Sequence, residues 1–329
     1  MHARFIIPGP LATISGGYGY DRAIIAGLRE RSHVIEVTEL GDPLAALNQP
    51  GVSVIDGLAL PAFAPFVSEV AARHCVGLIH HPISLEPDLP EADTARLGEL
   101  ERALFPAFAR VIVTSDWTAK ALVTHFAVAV DRIRVVQPGT APASRTAFRD
   151  QGCEILALGA LIPRKGHEML LRSLARLWDL DWHLTIAGAA DNAAYGASLK
   201  ALAAELKIGD RISFPGVLTG AALRAQWAKT DLFALATRFE GFGMAIAEAL
   251  AHGIPFAVTK GGAAGDGVPD MAGAACTVDD LITYSKTLRR MIFDTDLRRE
   301  MADAAWEFGQ SLPDWPAQVA KFAAALDLA

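Results

Sequence analysis

The sequence predicts an α/β protein made of two domains, each with a parallel β-sheet covered by helices. Short apolar runs that are typical of buried strands alternate with segments of helical period along most of the 329 residues. The pattern breaks at residues 137–140, Gln-Pro-Gly-Thr, and a new strand, loop and helix start at Ile155. A chain of this length can bury two hydrophobic cores, so we expect two domains.

The composition is that of a globular protein, with 52% hydrophobic and 20% charged residues. A net charge of −7 argues against a nucleic-acid partner that needs many phosphate contacts. No apolar run reaches the ~18 residues of a membrane helix, and the apolar start is short for a signal peptide. The three scattered cysteines form no C-x-x-C pair. We therefore expect a reduced, cytoplasmic protein without a zinc site or disulfides.

In the first half, polar and glycine residues follow predicted strands at the edge where parallel sheets bind ligands. Gly16 and Gly17 follow the first strand and open a helix, although without a full G-x-G-x-x-G fingerprint. His80 and His81 directly follow a buried strand, and a histidine there can donate or accept a hydrogen bond near neutral pH. The predicted strands of this half are 5–7, 33–37, 52–56, 76–79, 110–113 and 133–136, with helices at 61–72, within 85–108 and after a cap at Ser115 or Asp116.

The second half repeats this scheme. Arg164 and Lys165 follow its first strand and place two cations at the start of a helix, where they oppose the helix dipole unless an anion binds. The helix after them has one apolar face that extends to Trp178. Further strands are predicted at 155–158, 184–188, 211–215, 232–236 and 255–259, and helices after Thr219 and at 279–294, 295–310 and 315–326.

One stretch, residues 238–250, carries two carboxylates eight positions apart, Glu240 and Glu248. A glycine-rich turn and a helix that ends near Gly253 lie around them. The free amides at the start of that helix favour a phosphate, and the glycines let it approach the backbone. Glu248, four residues after Met244, lies on the helix face where it can accept hydrogen bonds from ribose hydroxyls. Glu240 lies beyond the phosphates, where a transferred group would be.

The segment Phe-Glu-Gly-Phe-Gly followed by Glu248-Ala249 resembles the signature of the retaining family 4 glycosyltransferases of GT-B fold. The resemblance implies two Rossmann-like α/β/α domains that face across a cleft, with a C-terminal helix that crosses back to the first domain. It places an acceptor-side domain at 1–138, together with about 312–329, and a donor domain at 139–311. Trp315 would anchor the last helix.

The resemblance also implies a role for each matching residue. Glu240, His80 and Lys165 would lie at the reacting sugar and phosphates, with His81 as the reserve for His80. The residues expected to bind the donor are Gly16, Gly17, Arg164, Lys165, Val217, Leu218, Gly241, Phe242, Gly243, Met244 and Glu248. One feature departs from the family, because many relatives have an arginine at the position of Ala160.

The implied activity is metal-independent, retaining transfer of a hexose from a nucleotide-diphosphate sugar, with UDP as the family default. No cofactor is expected. Residues 61–130 contain eight acidic and five basic residues, which gives little attraction to anionic lipid. We therefore expect a soluble saccharide or small-molecule acceptor, with no nucleic acid and no transmembrane segment. The sequence predicts no oligomeric state.

Four other interpretations compete with this one. One is a metal-dependent transferase of the other common fold, which needs Asp-x-Asp at a strand end to hold a divalent ion. Asp179-Leu180-Asp181 matches that pattern, but it ends a predicted helix and precedes a strand, so we predict a turn. A nicotinamide dehydrogenase would need the fingerprint and a later acidic residue that the chain lacks. A non-catalytic nucleotide-sugar sensor and a nucleotide-sugar epimerase share the fold and stay open.

Overall fold

A computed structural model describes residues 1–190 and 192–327. The chain divides into two compact units. Unit 1 comprises Met1–Gly139 and the C-terminal segment from Pro313, and unit 2 comprises Thr140–Leu312. In the described residues, no helix is both long and apolar enough to cross a membrane.

Unit 1 contains a six-stranded sheet in the order β2-β1-β3-β4-β5-β6, with every pair parallel. Its strands are β1 (His2–Ile7), β2 (Val34–Glu39), β3 (Val52–Asp56), β4 (Val76–Ile79), β5 (Arg110–Val113) and β6 (Ile133–Val135). The central strands β3, β4 and β5 are almost wholly buried, as expected for a sheet covered on both faces. The strands predicted in this half are confirmed.

The helices that cover this sheet are α1 (Gly16–Glu30), α2 (Pro43–Leu47), α3 (Val67–Ala72), α4 (Glu91–Leu104), α5 (Asp116–Phe126) and, from the end of the chain, the helix Trp315–Leu326. The α-helix predicted at 61–72 is wrong in its first part. Residues Gly57–Phe66 form 3₁₀ turns, and only Val67–Ala72 is α-helical. Pro61 and Pro65 lie in this stretch, and each lacks the N–H that an α-helix needs.

Unit 2 contains a second parallel six-stranded sheet, in the order β12-β11-β10-β7-β8-β9. Its strands are β7 (Glu154–Leu158), β8 (His183–Ala187), β9 (Ile212–Gly216), β10 (Leu232–Leu235), β11 (Phe256–Thr259) and β12 (Gly273–Cys276). Its helices are α6 (His167–Ala175), α7 (Ala193–Glu205), α8 (Gly220–Ala228), α9 (Met244–Ala251), α10 (Leu281–Phe293) and α11 (Thr295–Gly309).

The helix predicted to extend to Trp178 is shorter than expected. Helix α6 ends at Ala175, and Trp178 is 78% exposed, so it is not part of the apolar face. Leu177 just after the helix is buried, which explains why the apolar period continued in the sequence. Thr219 begins α8 as predicted, but its side chain makes no capping hydrogen bond. Gly253 follows α9 with a φ of +69°, as expected for a residue that ends a helix.

The last helix, α12 (Trp315–Leu326), belongs to unit 1, in agreement with the predicted fold. Phe322 stacks on Phe5 of β1 with ring centroids 5.7 Å apart. Gly27 of α1 faces α12 closely, since a Cβ atom there would lie 2.5 Å from the Val319 side chain. Trp315 contacts the Tyr20 ring edge-on, as the expected anchor should. The C-terminal segment therefore completes the core of the first unit.

Candidate functional site

The strand order of unit 2 indicates where its candidate site lies. The chain fills the sheet outward from β7 through β8 to β9 and then returns to fill β10, β11 and β12 on the other side. The order therefore reverses between β7 and β10. In open parallel sheets, ligands bind outside the carboxyl ends of the strands at such a reversal. The loop after β7 carries Arg164 and Lys165, and the loop after β10 carries Glu240.

Lys165 and Glu240 form a short ion pair, with 2.6 Å between Nζ and Oε1. Both side chains are largely buried, at 15% and 10% exposure. The Thr237 hydroxyl, which is fully buried, donates to the same carboxylate oxygen over 3.1 Å. Burial would raise the pKa of Glu240, but the positive charges of Lys165 and Arg164 outweigh it and hold this pKa below its usual value. Glu240 is thus a carboxylate at neutral pH.

Arg164 helps to shape the loop that carries Glu240. Its Nη1 donates to the Phe239 carbonyl over 2.7 Å, and its own carbonyl accepts from the Arg238 amide over 2.8 Å. Gly166 permits this approach of the two loops, because a Cβ atom there would lie 1.8 Å from the Ala236 carbonyl oxygen. The cations predicted at the diphosphate therefore contact the loop of the predicted catalytic carboxylate in this structure.

Ala160, which stands where many relatives have an arginine, contacts the side chain of His167. Its carbonyl lies 3.1 Å from Nε2 of the fully buried His167. Burial lowers the pKa of His167 to about 4, although the hydrogen bond to Ala160 opposes this, so the ring is neutral near pH 7. His167 consequently supplies no positive charge in place of the arginine that many relatives have.

Helix α9 begins directly after the Gly241-Phe242-Gly243 turn. Gly243 has a φ of +95°, a conformation that favours glycine, and Met244 is the first helical residue. Glu248 lies one turn further along, where burial raises the pKa of its carboxyl to about 7 and a hydrogen bond from Trp227 opposes the rise. The helix thus begins after a glycine in the left-handed conformation and carries a carboxyl group on the face where the ribose is expected.

Val217 and Leu218, the residues predicted near the base, directly follow β9 at the same edge of the sheet. Val217 is 40% exposed, and Leu218 packs partly against the core. Direct contacts therefore join Arg164 and Lys165 to the loop of Glu240. Val217 and Leu218 follow a strand at the same edge of the sheet, and Glu248 lies on the helix after the Glu240 loop.

In unit 1 the strand order reverses between β1 and β3. Gly17 lies in the first turn of α1, after β1, and His80 directly follows β4. A Cβ atom at Gly17 would lie 3.3 Å from Cδ2 of His80, so this glycine makes room for the imidazole. Gly16 is the first residue of α1, which Ser15 caps. The structure brings Gly17 and His80 together.

Two acidic residues that the sequence analysis missed share this place. Nε2 of His80 lies 3.4 Å from Asp21 of α1 and 3.5 Å from Asp56 at the end of β3. The rule that selected His80, a polar residue at a strand end, would also have selected Asp56. Asp21 is a residue inside a helix, and no pattern in the sequence marks it. His81, by contrast, pairs with Glu86 over 2.6 Å.

The same cluster has the composition of a possible metal site. Within residues 1–190 and 192–327, Asp21, Asp56 and His80 are the group whose potential ligand atoms all lie within 4.8 Å of one another. The imidazole nitrogen, however, lies at ion-pair distance from both carboxylates, so a protonated ring can provide the positive charge between them. Asp179 lies in a turn before β8, as predicted, and pairs with Arg289 of α10 over 2.5 Å.

The comparison with protein families decides the classification. A profile described as "Glycosyl transferases group 1" matches residues 144–308, half of the chain. The chain belongs to this family. The match covers β7 to α11 with both glutamates and the two cations of the predicted site.

Individual proteins agree with it. The chain is 26% identical over 257 residues to a D-inositol 3-phosphate glycosyltransferase of Acidothermus cellulolyticus, and the match covers 72% of this chain but only 56% of that protein. Among solved structures, a sucrose-phosphate synthase of Thermosynechococcus elongatus has a TM-score of 0.79 at 18% identity, with 98% of this chain and 97% of that chain covered. Anabaena Alr3699/HepE in complex with UDP-glucose has a TM-score of 0.78 at 17% identity, with 99% of both chains covered. These two structures support the GT-B fold.

Proposed function

We propose that the protein is a metal-independent, retaining glycosyltransferase that moves a hexose from a UDP-sugar to a hydroxyl of a soluble saccharide or small polyol. Family membership supports the transfer of a sugar from a nucleotide sugar. The UDP donor is supported by a likeness in fold to a protein whose structure contains UDP-glucose. The inositol phosphate named in one relative makes a small phosphorylated polyol the first acceptor to test.

The observation that carries the proposal is the Lys165–Glu240 pair at the strand reversal, beside the amino end of α9. A donor diphosphate at this end would receive hydrogen bonds from the free helix amides and attract the Lys165 ammonium. As Lys165 turns toward the phosphate, the Glu240 carboxylate gains the freedom to accept a hydrogen bond from a sugar hydroxyl. Glu248 would accept hydrogen bonds from the ribose.

In the proposed reaction the bond between the anomeric carbon and the diphosphate oxygen breaks, and the acceptor oxygen bonds to the same face of that carbon. The acceptor proton passes to the departing phosphate oxygen, so the products are the glycoside and the nucleoside diphosphate. Lys165 would stabilise the charge that develops on the leaving group. His80 in unit 1 is assigned to a hydroxyl oxygen of the donor sugar.

The first experiment is thermal unfolding with UDP-, GDP- and ADP-sugars in the presence of EDTA. A ligand at ~100 times its Kd adds about 2.7 kcal/mol to the stability, enough to raise the unfolding midpoint by several degrees. We expect UDP-sugars alone to raise it. If no nucleotide sugar does so, the proposal is wrong.

Turnover then separates the competing functions. With donor and acceptor in EDTA, we expect a glycoside that keeps the anomeric configuration of the donor, as read by NMR. Donor binding without any transfer would favour the sensor, and conversion of the donor sugar without acceptor would favour the epimerase. Glu240→Gln should lower turnover by ~100-fold or more, as loss of a group at the reacting centre does. Glu300→Gln on the exposed side of α11 is the matched control and should leave turnover unchanged.

A further inference from the structure

The cluster around His80 contains more acid than a simple contact with a sugar hydroxyl requires. Asp21 is fully buried, and neither of its carboxylate oxygens has a hydrogen-bond partner among the described residues. Asp56 is 4% exposed, and its Oδ1 accepts from the Leu58 amide over 2.6 Å. Two buried carboxylates side by side are costly unless a positive charge lies between them.

The imidazole of His80 is the group in position to supply that charge. In the described part of the chain, no lysine or arginine forms an ion pair with Asp21 or Asp56. Two tyrosines lie near the cluster. Tyr20 of α1 meets the His80 ring edge-on at 5.4 Å, and burial together with the charges of Asp56 and Asp21 raises the pKa of the Tyr18 phenol. Protonation of His80 therefore turns two unpaired carboxylates into a cluster with a net charge of about −1 by formal count.

The orientation of the ring decides which nitrogen meets a ligand. Nε2 lies toward the two carboxylates, and the Cδ2–Nε2 edge lies against Gly17. The hydroxyls of Thr114 and Thr118 donate to the His80 carbonyl over 3.0 and 3.3 Å and hold its backbone in place. The side chain keeps 15% exposure. Because Nε2 is buried, Nδ1 is the ring nitrogen that remains for a ligand.

We propose that Asp21 and Asp56 are positioning residues that keep His80 as an imidazolium, so that its Nδ1–H donates a charge-assisted hydrogen bond to a ligand oxygen and His80 does not act as a general base. The identity of that oxygen, a hydroxyl of the donor sugar, rests on the proposed function. The protonation state itself does not. An imidazolium lacks the free lone pair that a base needs, while its hydrogen bonds are about twice as strong as neutral ones.

The direction of the pKa shift agrees with the geometry. Burial alone would lower the pKa of His80, but the nearby carboxylates of Asp21 and Asp56 outweigh it and raise this pKa to about 10. Because the folded pKa lies above the unfolded value, the stabilisation is complete below about pH 6.5 and is lost as the pH rises toward 10. Burial raises the pKa of Asp21 in turn, with His80 opposing the rise, so Asp21 gains a proton on acidification earlier than an exposed aspartate would.

The decisive experiment is an NMR titration of the histidine ring nitrogens in the whole protein, with His80→Gln used to assign the His80 signals. We expect the wild-type ring to remain an imidazolium at pH 8. Asp21→Asn should lower the His80 midpoint by about 1–3 pH units, the range that a charged neighbour produces. Asp93→Asn, on the exposed part of α4, is the matched control and should leave it unchanged. A neutral wild-type ring at pH 8 would overturn the inference. This measurement is made on the wild-type protein, and His80→Gln is needed only to assign the signals.

Metal analysis of the purified protein completes the test. A stoichiometric divalent cation whose removal by a chelator shifts the His80 signals would show a cation site instead and would overturn the inference. Turnover provides a separate readout. In Asp21→Asn, kcat/KM for the donor should fall as the pH rises through 7–9, because His80 then loses its proton in that range. A merely structural defect would lower kcat/KM equally at every pH. If the wild-type protein transfers no sugar, the proposed function fails while the NMR titration still decides the state of His80.

Discussion

Removing the ammonium of Lys165 should destabilise unit 2 because it leaves the buried Glu240 carboxylate without its nearest cation. The Glu240 side chain is 10% exposed, and its Oε1 lies 2.6 Å from Nζ of Lys165. Breaking one side of a buried ion pair costs ~3–5 kcal/mol. The hydroxyl of Thr237 and the nearby Arg164 would remain, so we expect the lower end of this range for Lys165→Met. For a domain of this size, that corresponds to a fall of ~6–12 °C in Tm.

The assay is chemical unfolding of Lys165→Met, Glu240→Gln and the double variant as a function of pH. The folded pKa of Glu240 is lowered, so its contribution is present above its unfolded pKa and is lost as the pH falls. Without Lys165, burial should raise that pKa, so the cost of Lys165→Met should be largest near pH 7 and shrink toward pH 4. At pH 7 the double variant should lose less free energy of unfolding than Lys165→Met alone, because it has no unpaired buried carboxylate. If Lys165→Met lowers the free energy of unfolding by less than ~1 kcal/mol, or by the same amount at every pH, the reasoning is wrong. The pair would then behave like an ion pair that solvent screens.

Three further outcomes follow from the structure. Glu248→Gln should stabilise the protein by ~1–3 kcal/mol at pH 8 and have no effect at pH 4, because the raised pKa of Glu248 costs stability as the pH rises through about 7; unfolding at the two pH values measures this. Gly166→Ala should cost ~2 kcal/mol more than Gly216→Ala in the same assay, since both glycines have positive φ but only Gly166 faces a backbone oxygen at 1.8 Å. Arg298→Met should cost ~3 kcal/mol or more in urea unfolding, because its fully buried guanidinium donates to several carbonyls that would lose their partner.

The order of elements could be predicted from the sequence because parallel strands buried on both faces appear as short apolar runs. The predictions were wrong where individual residues ended or altered a helix that the hydrophobic periodicity indicated. Two prolines turned the start of a predicted helix into 3₁₀ turns, and Trp178 continued an apolar pattern beyond the end of α6. Both errors concern the ends of elements, which depend on backbone hydrogen bonds that a hydrophobic pattern does not encode.

The sequence marked individual residues of the candidate site but not the contacts between them. The spacing within one loop marked Glu240, and a strand end marked His80. The contact of Lys165 with Glu240 joins two loops that are 75 positions apart in sequence and adjacent only because β7 pairs with β10. Asp21 illustrates the same limit, since nothing in α1 itself shows that its carboxylate faces the end of β4. Such contacts depend on strand order, which short-range patterns do not contain.

Each unit contains a basic side chain that already has a carboxylate close to it. Lys165 in unit 2 already has a carboxylate partner, so an anion must compete with Glu240 for it. On the proposed function, a diphosphate with two or more negative charges can do so, whereas a neutral sugar cannot. Donor binding would then release Glu240 toward the sugar only when the phosphates are in place. His80 differs, because a hydroxyl oxygen at Nδ1 need not displace the carboxylates at Nε2. The binding energy of the phosphates would thus be linked to the exposure of the carboxylate that meets the sugar, which would disfavour engagement of free hexose at Glu240.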